Sequence, residues 1–325
     1  MATLPILSAF DWIPVFRDSE ITGFWFAILA ALGFSAKAIF VKLAYPYGVS
    51  PLALLALRMA FAAPVFAFIA LRASRNAAPL KVGDWVALTL LGLLGYYGAS
   101  LLDFMGLQYI SAGLERLILF TYPTLTLLIA VFVFNRSFSA RDFAALGLTW
   151  LGIALAFAHD LQLRGDLTAV VLGGALVFGS AVCYALYLTG CGEMVLRLGS
   201  RRFTALAMCV STVATFAHFG ATSPLQDLVQ PMPVLALAAA MAVFSTVLPV
   251  FMLSAAIREL GATRTAMLGS VGPIITICLG AVFLDEPLSA AQLAGTVLVV
   301  LGVSFASKPA APKPAPLAPL KRLRV

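Results

Sequence analysis

Charge is scarce in this chain, and histidine scarcer still. Of 325 residues only 11% are Asp, Glu, Lys or Arg, and two are His; a soluble domain carries about 25% charged residues. His159 and His218 lie far apart, without a partner at metal-ligand spacing. The four cysteines (Cys183, Cys191, Cys209, Cys278) form no CxxC pair, so packing explains them better than zinc or redox chemistry. The chain contains no Gly-x-Ser-x-Gly elbow and no Walker A run. These gaps argue against a hydrolase, a metalloenzyme and an ATP-driven pump. No cofactor or metal is expected, and the chain is not read as an enzyme.

Apolar length takes the place of charge. The chain is 62% hydrophobic, with mean hydropathy +1.02, and a bilayer is the solvent such a surplus needs. A helical crossing takes about 20 apolar residues. Ten runs qualify: 21–43, 51–71, 84–107, 112–134, 140–158, 167–188, 204–220, 233–255, 262–284 and 289–306. Most joining loops are too short to fold alone. Residues 1–20 read as a cytosolic arm without the basic-then-apolar order of a cleaved leader. The Pro/Ala-rich, basic stretch 307–325 reads as a disordered cytosolic tail.

Lys and Arg set the orientation. With the N-terminus inside, sixteen of the 21 fall at inner loops and ends, three (Lys42, Arg116, Arg164) outside, and two (Lys37, Arg58) within spans. This positive-inside bias places both termini in the cytoplasm of a cell (inner) membrane protein. The net charge of +7 then answers anionic lipid, and no nucleic-acid partner is needed. Trp25 and Trp85 fall where interfacial anchors belong.

Residues 106–156 recur without a gap, 150 positions later, as 256–306. Matched pairs include Ala112/Ala262, Ile118/Leu268, Pro123/Pro273, Thr126/Thr276, Ser139/Ser289 and Gly152/Gly302. Five spans separate the copies, and an odd number turns the second upside down. The expected fold is an all-α integral membrane protein of ten transmembrane helices. They form two inverted five-helix repeats, 21–158 and 167–306, around a central cavity, with the solute near the midplane.

Four charges from four helices share one layer of the first half. At 1.5 Å per residue, Lys37, Arg58, Asp103 and Glu115 lie roughly 9, 10, 6 and 5 Å below the outer face. A lone charge at such depth costs about 2.5–3.5 kcal/mol on insertion scales. Arg58 or Lys37 is therefore expected to pair with Asp103 or Glu115, as a structural ion cluster or as an outer gate and solute contact. Lys42 is expected to snorkel to headgroups. Arg258, Glu259 and Arg264 flank the inner ends of later spans and could serve an inner gate. Pro123 and Pro273 each sit eleven residues into their run. They deny a hydrogen bond to the carbonyls of Leu119 and Gly269, which is tolerated where the backbone lines protein or a wet cavity. Ser270 lies in the low-bulk stretch before Pro273. Tyr96, Tyr97, Tyr122 and Tyr184, with Tyr187 nearby, offer ring faces and hydroxyls for an amphipathic solute. Small residues around Gly92, Gly95, Ala99, Gly174 and Ser180 permit close helix contact.

On these features the chain resembles the drug/metabolite transporter superfamily, in particular ten-span proteins with two EamA-type repeats. The residues that carry the likeness are Lys42, Ser50-Pro51 and Arg58, the proline-bearing Tyr122-Pro123-Thr124 and Val271-Gly272-Pro273, and Leu284-Asp285-Glu286-Pro287-Leu288-Ser289. It departs from the pattern at Asn135-Arg136, where the first repeat often carries Gly-Glu. The resemblance implies a secondary transporter, an exporter of amino acids, their derivatives or other small metabolites. Protons are the expected coupling ion, with Asp103 and Glu115 as the carboxylates concerned. A channel and an integral membrane enzyme are the alternatives. Whether the bundle forms a homodimer is left open.

Overall fold

The computed structural model describes residues 18–134 and 139–306, and every regular element among them is helical. The arm before residue 18, Arg136 and the tail after 306 lie outside the described residues. Helix α1 spans Asp18–Ala44. Helix α2 spans Pro51–Ser74; Ser50 caps it by accepting from the Ala53 amide at 3.2 Å, and Pro51 stands in the first turn. The third run is irregular: α3 (Val82–Gly92) passes through a π-helical turn, Leu93–Gly98, into α4 (Ala99–Leu107). The fourth is broken: α5 (Ala112–Leu119) stops at Phe120 and α6 (Tyr122–Phe134) resumes. Helix α7 (Ala140–Arg164) opens on a reciprocal Ser139–Asp142 capping box and ends at Gly165, whose φ of 68° suits glycine.

The second half repeats these irregularities. Helices α8 (Leu167–Leu198) and α9 (Ser200–Thr222) are regular. Helix α10 (Met232–Ala242) runs through a π-helical turn, Val243–Val247, into α11 (Leu248–Leu260). Helix α12 (Ala262–Gly269) is broken from α13 (Gly272–Phe283), and α14 (Ala290–Ala306) closes the bundle. The π turns at 93 and 243, and the breaks at 120 and 270, are both 150 positions apart. Each break falls just before the proline that cannot donate backward. Residues 262–284 are thus two helices where sequence periodicity reads one span, and α8 runs ten residues beyond the expected 188. Among the described residues, eight helical stretches are long and apolar enough to cross a bilayer, and Gly272–Phe283 and Ala290–Phe305 are shorter apolar helices.

The packing is reciprocal. Helix α1 lies along α10, α11, α12 and α13, while α8 lies along α3, α4, α5 and α6; α2 pairs with α9, and α7 with α14. Glycines bring backbones together at these crossings. A Cβ at Gly295 would sit 2.6 Å from the Gly152 carbonyl, and one at Gly92 would sit 2.9 Å from that of Ala207. Ser180 donates to the Ala99 carbonyl at 2.7 Å, and Gly95 faces the Tyr187 side chain. Leu54, Leu55, Met59, Phe104 and Phe219 fill a core between α2, α4 and α9. The outside is apolar too: Phe68, Leu71, Phe132 and Val282 are exposed, as are Trp25 and Trp85.

Candidate functional site

The charged layer assembles around Lys37 of α1. Its ammonium lies 2.5 Å from Asp103 Oδ2 and 3.3 Å from Glu115 Oε1, so one cation holds acids from α4 and α5. Both acids are buried, and one oxygen of each (Asp103 Oδ1, Glu115 Oε2) has no hydrogen-bond partner. Arg58 does not join this pair. It donates to Ser100 Oγ at 2.9 Å and stacks 5.0 Å above the Phe104 ring, a cation–π contact that serves in place of a carboxylate. Arg116, counted among outer-side charges from sequence, is buried at 9% exposure. Its guanidinium lies 5.7 Å over Phe120.

Beside this layer the start of α5 is clasped from several directions. Ser111 caps it through Leu114 N–H at 3.0 Å. Asp160, near the end of α7, accepts from the Ser111 amide at 2.8 Å and from its hydroxyl. Glu286, in the α13–α14 loop, accepts from Ala112 N–H at 2.9 Å and Gly113 N–H at 3.4 Å. Acids at a helix N-terminus answer its partial positive charge. Lys42 does not snorkel outward: it donates to the Ile110 carbonyl at 2.7 Å and lies 3.8 Å from Glu286. Glu286 belongs to the second half of the chain and α5 to the first, so the clasp links the halves.

The two breaks lie deeper. Pro273 is buried and Pro123 half-buried. Ser35 of α1 donates to the Gly272 carbonyl at 3.0 Å, tying α1 to the start of α13. Ser270 is half-buried in the second break. Beside Gly269, whose carbonyl loses its partner to Pro273, a Cβ would meet open space. Tyr122 begins α6 and stands edge-on to Tyr184 of α8, ring centroids 5.0 Å apart. Tyr184 stacks on Tyr187 at 5.8 Å, and Tyr187 meets Tyr96 of the first π turn, hydroxyls 3.0 Å apart. Phe203 of α9 stacks on Tyr187. Tyr97 is not part of this group; its hydroxyl meets His218 Nδ1 at 2.7 Å on another face.

Two hollows, of about 340 and 630 Å³, lie at the opposite end of the bundle, near the α2 C-terminus and the α9 N-terminus. Arg201 and the inner-gate candidate Arg258 line the first and Arg75 and Arg202 the second, but none of the solute-contact candidates lines either. At that end Arg258 and Glu259 pair with each other at 2.9 Å. That pair joins neighbours on one helix; across the halves at this end Arg197 of α8 pairs with Asp84 of α3 at 2.6 Å, and Arg202 of α9 donates to Ser74 Oγ and the Ala78 carbonyl, each at 3.1 Å. Of the sequence candidates, Lys37, Asp103 and Glu115 meet directly, and Tyr96, Tyr122 and Tyr184 form one aromatic group. Sequence reasoning missed Asp160, Phe120 and the burial of Arg116. Asp160 carried a signal: an acid near a helix C-terminus opposes the helix dipole unless something else holds it.

A helical chain with this much exposed apolar surface, many bilayer-length helices and buried charges around broken helices is a multi-pass membrane transport protein. It belongs to the EamA-like transporter family, whose sequence pattern matches residues 21–158 and again 171–308. The chain is 30% identical over 292 residues to the uncharacterized transporter YcbK of Bacillus subtilis (strain 168), covering 86% of this chain and 92% of that one. It is also 30% identical over 215 residues to the threonine/homoserine exporter RhtA of Salmonella typhimurium, covering 63% and 67% of the two chains. A crystal structure of 16% sequence identity superposes with a TM-score of 0.59, over 90% of this chain and 99% of that one. It shares the fold. The family and the relatives are transporters, which removes the enzyme reading.

Proposed function

We propose that the chain is a secondary transporter that exports small organic metabolites, amino acids or related amphipathic compounds, across the inner membrane by alternating access. Ten crossings form two inverted five-helix repeats, with both termini in the cytoplasm and the clasped α5 end facing outward. The observation that carries this reading is the matched irregularity. Two π turns and two proline-bearing breaks recur at the same offset, in helices that pack reciprocally across the halves. Such interruptions, set next to buried charge, are where carriers of this kind bind solute and ions. The RhtA relative is a threonine/homoserine exporter, which favours an amino-acid-like cargo. A continuous pore is disfavoured by the clasp across the outer end.

Coupling to protons falls to Asp103 and Glu115. A single ammonium serves both carboxylates, so a proton arriving at either changes the balance of the layer. Counterflow of labelled amino acids and cationic drugs in proteoliposomes tests the carrier reading. Exchange above that of empty liposomes is expected, with Asp103→Asn and Glu115→Gln losing their response to an imposed pH gradient. No exchange across the whole panel sinks the carrier. A gradient response retained in both variants removes these two acids from coupling.

A further inference from the structure

Resting on that carrier reading, we infer that Arg116, together with the start of α13, forms a carboxylate-binding subsite, so that the exported solute bears a free carboxylate and an apolar, ring-sized body. Arg116 is 9% exposed, and its Nε is buried with no hydrogen-bond partner. Among the described residues its guanidinium makes no hydrogen bond or ion pair; it lies over the Phe120 ring and against Gly272. A buried guanidinium left this way is costly, and an arriving anion relieves the cost.

The surroundings sharpen the point. A Cβ on Gly272 would lie 2.7 Å from Arg116 Nη2, so the guanidinium rests against the first residue of α13, and a methyl there would have to push it aside. The N-terminus of that twelve-residue helix adds partial positive charge of its own. The nearby acids bond elsewhere: Asp103 and Glu115 with Lys37, Glu286 with Lys42 and the α5 amides, Asp160 with Ser111; Glu115, next in sequence, attracts Arg116 without bonding it. Two positive groups therefore face each other at the junction of the two halves. A carboxylate suits this place because a guanidinium fork can take both of its oxygens.

Rings lead away from the subsite. Phe120, under Arg116, lies 5.8 Å from Tyr122, and Tyr122 continues the row through Tyr184 and Tyr187 to Tyr96. A solute anchored by its carboxylate at Arg116 would lay its apolar part along this row.

The test is counterflow of labelled L-phenylalanine and L-leucine by the full chain in liposomes. Competitors are the free amino acids, their amides and the matching amines. We expect the amides and amines to compete at least tenfold more weakly than the acids. Arg116→Gln should lower exchange of the acids at least tenfold and bring the acid-to-amide ratio near one, while Arg116→Lys keeps part of the preference. Gly272→Ala, which pushes a methyl toward Nη2, should raise the half-saturating concentration of the acids and leave amide competition unchanged; it serves if Arg116→Gln does not fold. Should amides or cationic drugs exchange as well as the acids, the subsite is wrong and the carrier stands. An acid-to-amide ratio unchanged in Arg116→Gln also overturns it. If nothing exchanges, both readings fall.

Discussion

At one end of the bundle α5 starts under three side chains: Ser111 of its own cap, Asp160 from α7 and Glu286 from the other half of the chain. The matched start of α12 follows Gly261, which offers no side chain and holds φ at 79°. The position matched to Glu286 is Arg136, of opposite charge. Two segments of common pattern have therefore been finished differently. Both ends are nonetheless tied across the halves: at the other, beside the hollows, Arg197 pairs with Asp84 at 2.6 Å and Arg202 donates to Ser74 Oγ and to the Ala78 carbonyl, each at 3.1 Å. The two ends therefore use different devices, helix caps at one and arginine contacts at the other.

The deepest part of the clasped end should be the most sensitive to change. Lys37→Ala leaves Asp103 and Glu115 buried without their cation. Removing one member of a buried pair typically destabilises by about 3–5 kcal/mol. Thermal unfolding of the purified protein in detergent should show a larger drop for Lys37→Ala than for any single substitution at Asp160, Glu286 or Arg258. Lys37→Met combined with Asp103→Asn and Glu115→Gln should recover most of it, since neutral partners need no cation. If that triple variant unfolds as early as Lys37→Ala, the loss comes from packing and the pairing argument fails.

Asp160 should follow. It accepts from both the amide and the hydroxyl of Ser111 and is itself fully buried. Asp160→Ala should cost about 1–2 kcal/mol, the upper range for a lost cap, and Asp160→Asn less. Glu286→Gln comes next, because an amide oxygen can still accept from Ala112 while the ion pair with Lys42 is lost. Hydrogen exchange at the Ala112 and Gly113 amides should speed up by about fivefold, corresponding to about 1 kcal/mol of local opening. Unchanged exchange there would mean that Glu286 does not hold the end shut.

Much of this was legible in the sequence, for physical reasons that also mark its limits. The apolar runs and the 150-residue repeat located the helices, because bilayer thickness fixes their length. Prolines placed the breaks within a turn, since a missing N–H acts at a known offset. Depth counting put Lys37, Asp103 and Glu115 together because it needs only the rise per residue. It failed for Arg58 and Lys42, whose partners depend on which way a side chain turns about its helix. Arg58 found a ring and a hydroxyl on α4, and Lys42 a backbone carbonyl freed at the end of a neighbouring turn. Tyr97 failed similarly: one residue from Tyr96 in the π turn, it points to a different side of the helix and meets His218 instead. Asp160 escaped notice because its partner is 49 positions away, beyond any local pattern.

The smallest expected effect completes the contrast. At the other end the Arg258–Glu259 contact is between adjacent residues of α11, and the arginine side chain is 74% exposed. Exposed ion pairs contribute between nothing and about 1 kcal/mol, and this one joins two residues of the same helix. Arg258→Ala should therefore leave the unfolding midpoint within the range of a neutral surface change, about 0.5 kcal/mol. Exchange in proteoliposomes should also keep its wild-type rate within about twofold. A loss as large as that of Glu286→Gln would show that Arg258 holds its end as firmly as Glu286 holds the clasped one. The asymmetry drawn from Gly261 and Arg136 would then be confined to the caps and would not extend to how the two ends open.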